Sequence, residues 1–309
     1  MDLRQLKYFV CIVELRSFTK AAERLYVAQP ALGAQIKRLE NELGQELLFR
    51  HSRGVEPTES GWTLYNYATR LLAEADNIHQ VMRDFNGPPC GSVSFGTQPN
   101  ATTMLTVNVA KQCLEAFPDI KLNLTEGYSI VLLQWVTEGK LDLACIFNTP
   151  ETSGVSIEPL FSEEFCLIGP ATGISGIDEA VDFKKISEYR LIVPGATHTL
   201  RRMLEQAARA SNTDLNICVE AESQSLVLEL VARGIGYTVL PYSSVAKQVE
   251  WGELTAYRIE PELAGKMHLV YREPMSKAAN AVADLIRNSV KNNLGTRNKG
   301  WHPSLEVMV

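Results

Sequence analysis

At 309 residues, 45% hydrophobic and 21% charged, the chain is too long for one ordinary core, and its composition is that of a soluble globular protein of two or three compact units. A charged start (Met1-Asp2-Leu3-Arg4), no run of 18 apolar residues and six scattered cysteines without a C-x-x-C pair argue against a membrane span and the usual zinc spacing; they predict a cytoplasmic protein with no metal or cofactor and with reduced, mostly buried thiols, a redox-sensing pair being the alternative. A net charge of −6 excludes a generally basic nucleic-acid binder, so any affinity for DNA must come from a few locally placed cations.

Residues 1–60 hold nine Lys/Arg against eight Asp/Glu, leaving 21 against 28 for the remainder. Leu3, Leu6, Phe9, Val10 and Val13 recur at helical spacing and predict a first amphipathic helix. Ser17 is a cap for a second, packed through Ala21, Ala22 and Leu25. A third starts at Gln29 with Pro30 in its first turn and ends at Gly44. Leu32, Ile36, Leu39 and Leu43 share one side of it, while Pro30, Gly33, Ala34 and Lys37 fall on the other. That outer face is small near its start, so backbone can approach a groove closely. Gln29 offers hydrogen bonds to a base edge and Lys37 a charge to phosphate. Leu47–Arg50 and Val55–Pro57 flank His51-Ser52-Arg53-Gly54, a predicted hairpin whose Arg50 and Arg53 suit a minor groove and a phosphate.

The run Ser17-Phe-Thr-Lys-Ala-Ala-Glu-Arg-Leu25, then Gln29-Pro-Ala-Leu, Ile36-Lys-Arg-Leu-Glu-Asn-Glu-Leu-Gly44, Leu48-Phe-Arg50 and Thr58-Glu-Ser-Gly61 closely resembles the LysR-type transcriptional regulators. The resemblance implies that Gln29, Pro30, Lys37 and Arg53 fall where the family meets DNA. Two departures stand out. The family usually carries Ser or Thr where this chain has Ala28, and Ser where it has Gly33, so a cap and a hydroxyl contact are missing.

Leu64, Ala68, Leu71, Ala75, Ile78, Met82 and Phe85 follow at alternating spacings of four and three, the seam of a two-helix coiled coil that would pair two copies. Asn86-Gly87-Pro88-Pro89 then predicts a hinge. The domains expected are a winged helix-turn-helix over 1–60, a linker helix over 61–87 and a regulatory domain over 88–309.

In that last part 92–96, 120–125 and 141–147 read as strands alternating with helices at about 101–116 and 129–138, a βαβα pattern that predicts a parallel α/β sheet. Strands at 165–169, 190–194, 216–221 and 236–240 follow, with helices from near Thr199 and Ser223, then a strand at 267–272 and a helix at about 277–292. By the family resemblance these form a two-lobed, periplasmic-binding-protein-like effector domain, one lobe over 91–162 plus 266–309 and the other over 163–265. Ligands of such sheets sit beyond strand ends, where helices begin. That places Gln98, Asn100 and Thr102 after the first strand, Ser129 opening a helix, Phe147 at a strand end, and Thr197, His198 and Thr199 in the second lobe around the expected effector. Neutral donors at helix starts predict a small anionic or strongly polar organic molecule.

No G-x-G-x-x-G, Walker loop, H-E-x-x-H or G-x-S-x-G occurs, and no catalytic residue is expected; Ser17-Phe-Thr-Lys20 fits S-x-x-K without its partner motifs. A periplasmic solute-binding protein, the other rival, would need an export signal and has no use for residues 1–60. The resemblance implies promoter DNA, a small effector and RNA polymerase as partners, and a homodimer assembling to a homotetramer.

Overall fold

The computed structural model describes residues 1–51, 54–84, 87–101, 105–174, 180–294 and 301–303, without the side chains of 76, 77, 79–81, 83, 84, 100, 302 and 303. The chain divides into two compact units, Met1–Gly87 with Thr137–Lys140, and Pro88–Val136 with Leu141–Val309.

In the first unit, α1 (Leu3–Leu15) starts on a reciprocal cap: Gln5 N–H donates to Asp2 Oδ1 at 2.7 Å, and Asp2 N–H to Gln5 Oε1 at 3.1 Å. Ser17 caps α2 (Phe18–Leu25), its Oγ accepting from Lys20 N–H. Helix α3 (Gln29–Leu43) begins at Ala28 with no side-chain cap, the structural cost of the first sequence departure, and ends on Gly44 at φ 66°. Phe9, Ile12, Leu32, Ile36 and Leu39 form a closed core, so the predicted inner face of α3 is buried as far as Leu39, while Leu43, in the last turn, is exposed.

Strands β1 (Leu48–His51) and β2 (Gly54–Pro57) pair antiparallel, His51 opposite Gly54, while Ser52 and the predicted contact Arg53 lie outside the described residues. Gly54, at φ 140°, lies so near Arg16 that a Cβ would meet the carbonyl oxygen at 2.9 Å. The Thr58–Gly61 motif has a packing cause. Thr58 Oγ1 donates to Glu46 C=O and accepts from Gly61 N–H, and a Cβ on Gly61 would come within 2.1 Å of the Leu47 carbonyl oxygen. Helix α4 (Glu59–Asp84) follows without a break. Its first seam positions do not serve a second copy: Leu64 packs on the unit's own core and Ala68 is fully buried, because α1 lies along this stretch. Leu71, Ile78 and Met82 are exposed, and Phe85 lies outside the described residues.

The second unit opens with β3 (Gly91–Thr97), the helical turn α5 (Pro99–Ala101), α6 (Val107–Ala116), β4 (Ile120–Glu126), α7 (Ser129–Thr137) and β5 (Leu143–Phe147). As the βαβα pattern requires, β3 runs parallel to both β4 and β5. Strand β5 is buried throughout because both sheet faces are covered. Leu143, Cys145 and Phe147 enter one core; Ala144 and Ile146 enter the other, against α7.

Strand β6 (Ser156–Pro170) is three times longer than the stretch predicted at 165–169. Its first part pairs with β12 (Ala264–Tyr271), which also pairs antiparallel with β5, so the sheet is mixed where a parallel one was expected. From Phe165 onward β6 pairs instead with β10 (Thr238–Pro241) and β11 (Leu254–Glu260), the latter flanked by β7 (Ala180–Asp182). The change of partner at 164/165 is the boundary between two lobes, since Phe165 and Leu167 belong to a second core and Cys166 and Ile168 to a third. Lobe two adds β8 (Leu191–Val193) parallel to β9 (Ile217–Glu220), with α8 (Thr199–Ala210), α9 (Gln224–Ala232) and α10 (Ala246–Glu250). Helix α11 (Lys277–Asn293) returns to lobe one, and β13 (Trp301–Pro303) pairs with β6, Trp301 stacking on Phe161 at 4.0 Å. No helix among the described residues is long and apolar enough to cross a membrane.

Candidate functional site

Two concave surfaces stand out, one in each unit. The first is an open groove on the helical unit. Its wall from α3 is Gln29, Pro30, Gly33, Ala34 and Lys37; the end of α1 and start of α2 supply Arg16, Ser17, Phe18 and Lys20; the wing supplies Arg50, His51, Gly54 and Val55. Six of the seven predicted contact residues are thus brought together, Arg53 falling outside the described residues. Among the described residues four cations line the groove and no carboxylate does, a sorting that the near-neutral balance of residues 1–60 conceals. Arg50 lies over the Phe18 ring at 4.5 Å, which holds its guanidinium across the groove. Thr19 Oγ1 donates to Gln29 Oε1 at 3.4 Å, leaving the amide N–H groups for an acceptor such as purine N7. Space is open around Gly33, where backbone can meet a ligand without an intervening side chain. Sequence reasoning missed Arg16 and Lys20, which flank the Ser17 cap.

The second surface is a cleft between the two lobes of the α/β unit, with a cavity of 80 Å³. Gln98, Pro99, Tyr128, Ser129, Phe147 and Asn148 line it from lobe one; Phe165, His198, Thr199, Met203, Glu222, Gln224 and Val227 are among those from lobe two. Of the eight predicted effector residues five line it: Gln98, Ser129, Phe147, His198 and Thr199. Thr197 does not; it is exposed in the turn before α8. Thr102 and the Asn100 side chain lie outside the described residues.

Two of the five are not waiting donors. Gln98 Nε2 donates to Ser129 Oγ at 2.7 Å, Ser129 Oγ donates to the Phe147 carbonyl at 3.2 Å, and Phe147 N–H donates to Gln98 Oε1 at 3.0 Å. This closed circuit ties the ends of β3 and β5 to the start of α7 and makes a preformed wall. His198 is the N-cap of α8: Nδ1 accepts from Leu200 N–H at 3.1 Å. Burial holds its imidazole below the ordinary range, against the pull of Glu222. The rings of Tyr128 and His198 meet edge to face across the cleft at 4.6 Å. Burial, then Glu222, makes the Tyr128 phenol harder to ionise.

The family profile described as bacterial regulatory helix-turn-helix protein, lysR family, matches residues 3–62, and that described as LysR substrate binding domain matches residues 86–291. The nitrogen assimilation regulatory protein nac of Klebsiella aerogenes is 31% identical over 294 residues, 94% of this chain and 95% of its own. A hydrogen peroxide-inducible genes activator of Pectobacterium carotovorum is 29% identical over 304 residues, 97% of this chain and 100% of its own. Among solved structures, a full-length OxyR variant from Pseudomonas aeruginosa superposes with a TM-score of 0.74 at 24% identity, covering 94% of this chain and 95% of that one.

Proposed function

The chain belongs to the LysR family of DNA-binding transcriptional regulators, and from that premise we propose that its groove docks on promoter DNA while its cleft takes a small organic effector that sets promoter activity. The observation that carries the DNA reading is the sorting of charge: Arg16, Lys20, Lys37 and Arg50 around a small-residue helix face, without a carboxylate. Helix α3 enters the major groove, Gln29 reads a base edge, and the cations meet phosphate. Two copies pair through α4 to reach paired half-sites, dimers join as tetramers, and RNA polymerase is the partner at the promoter. The protein works in the cytoplasm. In this reading no residue is catalytic.

The test is anisotropy of labelled duplex from upstream of the protein's own gene, titrated with the full chain at several salt concentrations. Lys37→Ala should weaken binding to every sequence and lower the salt slope by about 1. Specific binding by a chain lacking residues 1–60 would overturn the assignment.

The anionic effector expected from the sequence has one feature in its support, Thr199, which opens α8 on the cleft wall where helix N–H groups carry partial positive charge; the Glu222 carboxylate in the same wall opposes it. Peroxide sensing, the trait in one relative's name, is not the reading adopted. Cys11, Cys113, Cys145 and Cys166 are buried and burial pushes each thiol up, Cys166 to about 12, so thiolate is scarce.

A further inference from the structure

The charge of the cleft narrows the class of molecule it takes, on the premise that the cleft is the effector site. Among the described residues, three lining groups can ionise, Tyr128, His198 and Glu222, and no lysine or arginine lines the cavity. Of the two cations in the first turn of α8, Arg201 is committed to Glu205 at 2.8 Å and Glu220 at 2.9 Å, and Arg202, which acts on His198 through space, is not among the residues lining the cavity. His198 does not supply a positive charge either, because its Nδ1 must stay unprotonated to accept from Leu200 N–H. Among the described residues the carboxylate that lines the cavity is that of Glu222. Gly195 N–H holds its Oε1 at 3.0 Å, and Oε2 has no partner among the described residues.

Around that carboxylate Phe147, Phe165, Met203 and Val227 give an apolar wall, Thr199, Gln224 and Thr238 add neutral polar groups, and Gln98 and Ser129 are spent on each other. A carboxylate ligand would lose its hydration beside a like charge, with no cation to offset the loss. An ammonium ion meets the opposite situation: a carboxylate oxygen to receive its N–H groups, an aromatic ring beside it, and an apolar floor for its carbon chain. We propose that the cleft takes a small organic ammonium ion, its nitrogen against Glu222 and Tyr128 and its alkyl body on the Phe147–Phe165 floor. A cavity of 80 Å³ is about half of the ~150 Å³ that accommodates benzene, so the ligand it takes is small, with only a few heavy atoms inside the cavity.

Three probes of one shape and different charge test this: butylammonium, butanol and butyrate, titrated at constant ionic strength into the full chain and followed by ligand-observed NMR. Butylammonium should bind roughly tenfold more tightly than butanol, and butyrate most weakly. Glu222→Gln keeps an acceptor for Gly195 N–H and should reduce butylammonium to the level of butanol, with butanol unchanged. Met203→Trp, which fills the cleft, should abolish binding of all three. Butyrate binding as well as butylammonium, or an ammonium preference that survives Glu222→Gln, overturns the ammonium class and leaves the cleft as effector site. Undiminished binding in Met203→Trp, or no binding of any probe to the parent, overturns the cleft assignment itself.

Discussion

Glu163 is 1% exposed, in β6 beside the change of lobe, and its Oε1 accepts from Ser243 N–H at 2.9 Å. Burial pushes its carboxyl up to about 8, against the hydrogen bonds from Ser243. Between the unfolded value of 4.5 and that folded value the native state binds more protons than the unfolded one, so this group's contribution to stability is lost as pH rises through the interval. Glu163→Gln, which keeps the acceptor for Ser243, should be more stable than the parent at pH 8, on the order of 1–3 kcal/mol, and equal to it near pH 4.5. Urea unfolding at both values checks this, and a variant no more stable at pH 8 would refute it. His198 acts in the opposite direction: its lowered folded value makes stability fall as pH drops below 6.5, where the unfolded imidazole takes up the proton first. At the start of α3, Ala28 offers no cap. Ala28→Ser should stabilise the helical unit by about 1 kcal/mol, read as a shift in its thermal midpoint; no shift would mean that the serine oxygen fails to reach the helix N–H groups.

Helix α4 divides its apolar seam between two tasks. Leu64 and Ala68 serve the helical core, whereas Leu71, Ile78 and Met82 are exposed in the single chain at 48%, 57% and 64%. If those three meet a second copy, Leu71→Glu or Ile78→Glu places an unpaired charge in the contact, and sedimentation should show monomer in place of dimer. An unchanged oligomer in both variants would remove this pairing. The seam's spacing was legible in the sequence; its division was not, because only tertiary packing decides which turns α1 covers. The same holds for strands. β3, β4 and β5 announce themselves as apolar runs, yet the first half of β6 carries Glu158, Pro159, Ser162, Glu163 and Glu164, and its pairing shifts register opposite Met267/His268. Strand β11 alternates in burial and went unread among turns. In the cleft, chain order located Ser129, His198 and Thr199 at helix starts. Tyr128 and Glu222 are single loop residues whose role exists only once the lobes face each other, and no local pattern marks Gln98 and Ser129 as partners.

For the molecule as a whole, acidic balance and DNA affinity are compatible because four cations of the first unit, Arg16, Lys20, Lys37 and Arg50, are gathered on one groove. Its thiols are equally segregated. Four are buried and hard to ionise, and Cys218 donates to the Leu191 carbonyl at 3.4 Å. Brief peroxide treatment should therefore form no internal disulfide among these five and leave promoter affinity unchanged, any oxidation falling on the half-buried Cys90; a loss of two mass units with altered affinity would contradict this. The two lobes, finally, are joined by strand β6, which passes from one to the other unbroken, and beside it the chain crosses back, Phe165 N–H donating to the Leu263 carbonyl at 2.7 Å. The return crossing is the three-residue bend 261–263 between β11 and β12, pinned to β6 by that hydrogen bond. A change in the angle between lobes must be taken up as extra twist in this ribbon of strand and short return bend, much as a torsion bar stores a turn. Such a bar turns about one axis, resists in proportion to the angle, and springs back when released. The angle at rest is then a balance between ribbon and ligand, so ligands of unequal grip would hold the lobes at graded angles.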